Sequence, residues 1–267
     1  MTFGHALATL RTGRPLVQNI TNFVAMQTMA NVLLAAGASP AMVHAREEAA
    51  EFAGLAHALT LNTGTPEPDW VAAMEAAADV AARRGIPVVL DPVAAGATAY
   101  RREINMGLAR RIPRLILKGN ASEILALAGR GGTARGADSA DGVTAAEPAA
   151  IALARATGGI VAVSGPLDFV TDGQRQARIR NGSAAMTQVT ALGCALTGIV
   201  AAFAAGLEDR FHATVAALAY YAVAGEQAAA ASLLPGSFAV GFLNALSEMT
   251  PAQLDALALV EFDHVPL

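Results

Sequence analysis

Asp91, Lys118, Glu123 and Cys194 are the side chains in this sequence best suited to phosphate chemistry, and each stands beside an apolar run. Asp91 follows the run 87–90. Lys118 opens the string Lys118-Gly119-Asn120-Ala121-Ser122-Glu123 after the run 115–117, and Ser164-Gly165-Pro166-Leu167-Asp168 follows 160–163. Mg²⁺ is held through one or two carboxylates together with phosphate oxygens and retained waters, so Asp91 and Glu123 are candidates for it, directly or through water. Each also has a structural reading: an Asp before Pro92 closes a turn, and Asn120-x-x-Glu123 is a capping box. Their shared position beside the cation Lys118, which can neutralise a phosphate oxygen as a point charge, favours the metal–phosphate reading. The run Val189-Thr190-Ala191-Leu192-Gly193-Cys194 leads into an apolar stretch, and a helix N-terminus there offers free N–H groups to an anion. Cys194 in that first turn is expected to have a lowered pKa and to accept a proton from an alcohol. Its alternative role is that of a small hydrophobe in a core helix. Nothing matches G-x-x-x-x-G-K-[ST], which excludes a P-loop, and Gly129-Arg130-Gly131-Gly132-Thr133-Ala134 follows a helix rather than a strand, which argues against a dinucleotide site. Together these residues predict transfer of the γ-phosphate of ATP to the hydroxyl of a small alcohol.

The elements that must position them alternate. Short β-rich runs ending in polar or glycine residues separate long Ala/Leu-rich stretches, the pattern of a mostly parallel sheet between two helical layers. In such a sheet ligands bind beyond the carboxyl ends of the strands, where the residues above fall. Strands are expected near 15–18, 41–42, 58–61, 87–90, 115–117, 160–163, 169–171 and 178–180. Helices are expected over 24–36, 47–56, 69–84, 103–111, 121–128, 147–157, 194–205, 211–231, 237–247 and 251–257. The glycine-rich stretch 129–142 reads as a flexible loop within the same alternation, so residues 1–267 are expected to form a single domain.

Composition narrows the function classes. With 54% hydrophobic and 15% charged residues the chain is an aliphatic globule rather than a disordered one. A net charge of −4 and pI near 5.7 leave no basic surface for a nucleic-acid backbone or an anionic membrane, and neither partner is expected. The single cysteine and the absence of a leader pattern at the N-terminus point to the cytoplasm. Residues 189–207 are uncharged for long enough to suggest a membrane span, but the internal threonines and glycines fit a turn followed by a buried helix better.

Six strings, in this order, resemble the hydroxyethylthiazole kinase family: Asn19-Ile20-Thr21-Asn22, Gly37-Ala38-Ser39-Pro40-Ala41-Met42, Leu61-Asn62-Thr63-Gly64-Thr65, Asp91-Pro92-Val93-Ala94-Ala95-Gly96-Ala97-Thr98, Gly119-Asn120-Ala121-Ser122-Glu123-Ile124 and Asp168-Phe169-Val170-Thr171-Asp172-Gly173. The resemblance implies a three-layer α/β/α ribokinase-like fold and phosphorylation of 4-methyl-5-(2-hydroxyethyl)thiazole by MgATP in thiamine salvage, in a homotrimer with sites between subunits. It places Asn22, Met42 and Ala191 at the thiazole, Lys118 and Ser164 at ATP, Asp91 and Glu123 at Mg²⁺, and Gly193 and Cys194 as anion hole and base. Five positions depart from the family's usual residues: Lys118 for arginine, Ser164 for threonine, Gln27 for asparagine, and Ala191 and Leu192 for the first glycine and the threonine of a glycine-threonine-glycine-cysteine run. A kinase for another small alcohol such as hydroxymethylpyrimidine, a dehydratase of hydrated nicotinamide cofactors and a catalytically silent binding homologue are the competing readings.

Overall fold

The computed structural model describes residues 1–130 and 140–264. In chain order its first half comprises α1 (Phe3–Gly13), β1 (Leu16–Ile20), α2 (Met26–Ala36), β2 (Ser39–Ala41), α3 (Ala49–Ala53), β3 (Ala58–Asn62), α4 (Pro68–Arg84), β4 (Val88–Asp91), α5 (Ala99–Arg111), β5 (Ile116–Asn120) and α6 (Ala121–Leu127). The second half comprises α7 (Ala140–Thr157), β6 (Ile160–Ser164), β7 (Asp168–Thr171), β8 (Arg175–Ile179), α8 (Leu192–Ala205), α9 (Arg210–Ala231), α10 (Pro235–Glu248), α11 (Pro251–Leu257) and β9 (Val260–His264). All nine strands form one sheet in the order β2-β1-β3-β4-β5-β6-β7-β8-β9. The first six run parallel and the last three antiparallel.

The central strands are buried on both faces, which is why they read as near-continuous apolar runs instead of alternating ones. Their residues nevertheless divide by parity: Val89 points to one face and Val88 and Leu90 to the other. On the first face α1, α2, α8, α9 and α10 close the core. On the second, α3 to α7 do so, giving three layers. The uncharged stretch around 189–207 supplies α8, whose core-facing residues are buried against α2 and α9. At fourteen residues it is about 21 Å long, well short of the roughly 30 Å hydrocarbon layer. Among the described residues no helix is long and apolar enough to cross a membrane.

Helix α1 and strand β9 were not expected. Helix α1 is capped by Thr2 and fastened by Arg11, whose guanidinium donates to the carbonyls of Met249, Leu246 and Ser247 at the end of α10. Strand β9 is mostly exposed and is held as a strand by its pairing with β8. Helix α7 begins earlier than expected, at Ala140, and carries Pro148 internally. Residues 131–139 of the expected loop 129–142 lie outside the described residues, and 140–142 belong to α7.

Candidate active site

The parallel register brings polar residues level at the carboxyl edge of the sheet. Asn62 at the end of β3 is paired with Asp91 at the end of β4, and Asn120 of β5 with Ser164 of β6. Asn22 follows β1 on the same edge, and the N-terminus of α8 faces it from the helical layer. A cavity of about 860 Å³ opens there, lined by Asp91, Lys118, Glu123, Ser164, Ala191, Gly193 and Cys194. Seven of the nine residues expected to form the site thus meet around one hollow.

Asp91 is the hub. Its Oδ2 accepts hydrogen bonds from Asn62 Nδ2 at 2.8 Å and Thr197 Oγ1 at 2.9 Å, and lies 3.5 Å from Lys118 Nζ. Its Oδ1 has no hydrogen bond among the described residues. Burial pushes the Asp91 carboxyl pKa up, against the pull of Lys118 and the two hydrogen bonds. Lys118 is itself buried, which disfavours its charge, but Asp91, Cys194 and Glu123 hold its pKa above the usual lysine value. Its ammonium also donates to the carbonyl of Gly193 at 2.8 Å, tying β5 to the first turn of α8. Removing one member of such a buried pair costs about 3–5 kcal/mol, because the other charge is left stranded.

Glu123 fulfils the structural role expected of it and adds a second. It completes the capping box of α6, with Oε2 accepting from Asn120 N–H at 2.8 Å. Its Oε1 accepts from Ala94 N–H at 2.9 Å and so fixes the loop after Asp91. Burial and then the charge of Asp91 raise its pKa. Arg101 of α5 ties the same loop to the one after β3, donating to the carbonyl of Val93 in the first and of Thr63 and Gly64 in the second. The donor set fits Mg²⁺: Asp91 Oδ1 remains available to it directly, and Glu123, with one backbone bond on each oxygen, through water.

Cys194 lies two residues further into α8 than a helix starting at 194 would place it, since the helix begins at Leu192. Its Sγ accepts from Asn22 Nδ2 at 3.4 Å, and the same amide donates to Asn62 Oδ1 at 2.7 Å. The chain Cys194–Asn22–Asn62–Asp91 is therefore continuous. Gly64 makes room for it: a Cβ there would come within 2.8–2.9 Å of the Asn22 side chain. The expectation of a lowered thiol pKa is corrected. Burial, and after it the negative charge of Asp91, push the Cys194 pKa up, outweighing Lys118 and the hydrogen bonds of Asn62 and Asn22.

Ala191 is the N-cap of α8 and has φ 68°, ψ 6°, a left-handed conformation that costs a Cβ-bearing residue about 1–2 kcal/mol. No side chain caps the helix, so the first-turn N–H groups stay open to an anion. Ser164 Oγ lines the cavity and donates weakly to Gly119 O at 3.4 Å. Met42 stands apart: it follows the edge strand β2, is half-buried against the core and does not line the cavity.

Three residues in this network carry no role in the sequence reading. Asn62 sits in a quoted string and ends a strand, which is the signal that would have found it. Thr197 lies one helical turn beyond Cys194, on the same face of α8. Asp168 begins β7, lines the cavity, and accepts from Gly165 N–H at 2.9 Å. Burial pushes its pKa up to about 7, against the Gly165 bond and the charge of Lys118.

Comparison with known proteins identifies the family. Residues 7–252 match the Hydroxyethylthiazole kinase family. A hydroxyethylthiazole kinase of Cereibacter sphaeroides is 60% identical over 258 residues, covering 97% of this chain and 98% of that one. One from Rhizobium leguminosarum bv. trifolii is 56% identical, covering 97% of each. The structure of the hydroxyethylthiazole kinase protein from Pyrococcus horikoshii OT3 superposes with a TM-score of 0.90 at 38% identity, over 98% of both chains. Pyridoxal kinase from Staphylococcus aureus, at 14% identity and a TM-score of 0.62 over 94% of this chain and 99% of that one, shares the fold, a ribokinase-like α/β/α sandwich. The chain belongs to the hydroxyethylthiazole kinase family.

Proposed function

We infer that this protein phosphorylates the hydroxyl of 4-methyl-5-(2-hydroxyethyl)thiazole, with ATP as co-substrate, the reaction of thiamine salvage that the family name describes. The observation that carries the reading is the juxtaposition of Asp91, Lys118 and Cys194 with the uncapped N-terminus of α8 around one cavity, in a chain 60% identical to a hydroxyethylthiazole kinase.

The proposed roles follow from position. The open N–H groups of the first turn of α8, at Gly193 and Cys194, receive the transferring phosphoryl group, where fixed donors stabilise developing charge best. Cys194 accepts the alcohol proton, and Asn22 orients its sulfur. Lys118 and Ser164 take the nucleotide phosphates. Asp91 and Glu123 would hold Mg²⁺, which supplies charge neutralisation between the phosphates. Ala191 narrows the acceptor end. Because in-line phosphoryl transfer involves little covalent work by the protein, positioning and electrostatics supply most of the acceleration.

We place Met42 at the thiazole across a subunit boundary, in a homotrimer. What supports this is its distance from the cavity and the apolar surface of the neighbouring edge: Phe23 is 53% exposed, Val24 61% and Leu34 60%. The whole chain serves as one kinase domain, in the cytoplasm by its single cysteine and composition.

The test is ADP release coupled to a visible readout, with hydroxyethylthiazole, hydroxymethylpyrimidine or no acceptor. Turnover that depends on the thiazole alcohol supports the reading; a preference for the pyrimidine alcohol, or ADP release independent of acceptor, rejects it. Asp91→Asn, which keeps the shape but not the charge, should lower turnover strongly at saturating MgATP.

A further inference from the structure

The amino ends of the strands carry a second hollow, about 1120 Å³, on the opposite edge of the sheet from Asp91 and Cys194. Its wall comes from the segment before β5, the turn before β6, the β7–β8 turn and the α8–α9 connection. These bring Arg114, Arg155, Arg175 and Arg210 together with Asp172 and Asp209. Glu208 also lines it.

The charges do not cancel where they stand. Arg175 claims both aspartates, through Nε to Asp172 Oδ2 at 2.7 Å and through its two Nη atoms to Asp209 at 2.8 and 3.0 Å. Asp209 is further committed as the N-cap of α9, accepting from the N–H groups of Phe211 and His212. Arg155 Nε donates to Gly173 O at 2.8 Å. Arg114 and Arg210 are left: among the described residues, neither has a carboxylate within 4.0 Å. Arg210 donates one bond, to Gly85 O at 2.6 Å. It is half-buried, and burial followed by the repulsion of Arg114 pushes its pKa down. Two like charges facing one hollow, one partly removed from water, are a destabilising arrangement unless an anion joins them. A pair of guanidinium groups matches the oxygens of a tetrahedral oxyanion, because each offers two parallel N–H donors.

We propose that this hollow is a second anion site, which binds a phosphate group between Arg114 and Arg210, separate from the cavity where phosphoryl transfer takes place. Arg175 holds both Asp172 and Asp209 and cancels one of their two charges; with Glu208 included, the four arginines of the wall still outnumber its three carboxylates by one, which leaves the hollow net positive. Neither proposed ligand touches a residue assigned to the transfer reaction.

The test is calorimetric titration of the full chain with inorganic phosphate at constant ionic strength, sodium chloride serving as the control titrant, on the parent, Arg114→Gln, Arg210→Gln and the double variant. Each single change should weaken one class of phosphate binding about tenfold or more, the span for a hydrogen bond to a charged group. The double variant should lose that class, while thiazole phosphorylation stays within about twofold of the parent, since these residues lie outside the reaction site. Equal phosphate affinity and stoichiometry in the parent and the double variant would overturn the proposal, as would a heat signal that chloride reproduces or no phosphate binding by the parent. Arg210→Gln loses the bond to Gly85 and can fail to fold. In that event Arg114→Gln decides alone, because Arg114 makes no hydrogen bond among the described residues.

Discussion

The Cys194 thiol is half-buried next to the negative charge of Asp91, which holds its pKa up, so it is protonated at neutral pH and its thiolate fraction rises about tenfold per pH unit below that raised pKa. If this sulfur is the base, turnover at saturating substrates should climb as pH is raised from about 7 to 9. Cys194→Ala should flatten that limb and lower turnover by about 10²–10⁴, the usual span for a general base, while the open helix N-terminus preserves residual activity. An unchanged pH profile in the folded alanine variant would reduce Cys194 to a packing residue. Asp168 supports a stability prediction of definite sign. Burial raises its carboxyl from 3.8 to about 7, so its proton stabilises the folded state. That contribution is complete below the unfolded value and is lost as pH rises through the folded one, in total on the order of 4 kcal/mol. The gap in Tm between Asp168→Asn and the parent should therefore widen in favour of the variant from pH 5 to pH 8. A gap independent of pH would contradict the assignment.

Among the elements, α8 does the most to create the site and is held in an unfavourable way. Its N-cap, Ala191, adopts a left-handed conformation that glycine tolerates and alanine resists. Ala191→Gly should relieve about 1 kcal/mol, seen as a rise of about 2–4 °C in Tm, and removing the methyl should widen acceptance of bulkier alcohols. A fall in Tm would show that the surrounding turn, not the residue, sets this geometry. The carboxyl-edge elements were readable in the chain because a buried parallel strand is an apolar run with a polar end. The observed β3, β4, β5 and β6 extend the expected strands by one to three residues at that end. Helix α1 and strand β9 were not readable. The first needs the end of α10 to accept from Arg11, and the second needs β8 to pair with, partners more than eighty residues away.

At the scale of the molecule, one continuous sheet separates two cores, and its two edges have different chemistry: acids and a lysine at the carboxyl ends, arginines at the amino ends. The apolar surface beside β1 and β2 is one of the exposed apolar features of the molecule, and Asn22, next to Phe23 and Val24, links it to Cys194 in the cavity wall. Val24 is exposed and belongs to no core cluster, so Val24→Asp should leave the monomer folded. In the proposed trimer it should shift sedimentation toward monomer and raise the KM for the thiazole alcohol. A variant that sediments like the parent would move the interface elsewhere, and a parent that is monomeric and fully active would remove it.

The residue types of the site, their order and the edge on which they lie are local properties of the chain. An apolar run ends, an acid or a capping asparagine follows, and the backbone direction of a parallel sheet does the rest; this sufficed to group Asp91, Lys118, Glu123, Ser164 and Cys194, while the resemblance of six strings suggested the family and added Ala191 and Gly193. What the side chains do there depends on neighbours that are distant in sequence. Only the packed structure showed that Asp91 shares its oxygen among Asn62, Thr197 and Lys118, and that Cys194 is made less acidic rather than more. It also left Met42 outside the cavity and Arg114 and Arg210 facing the same hollow. Proton affinity and ion pairing are set by burial and by charges a few ångströms away, and the chain's local pattern specifies neither until its strands are in register.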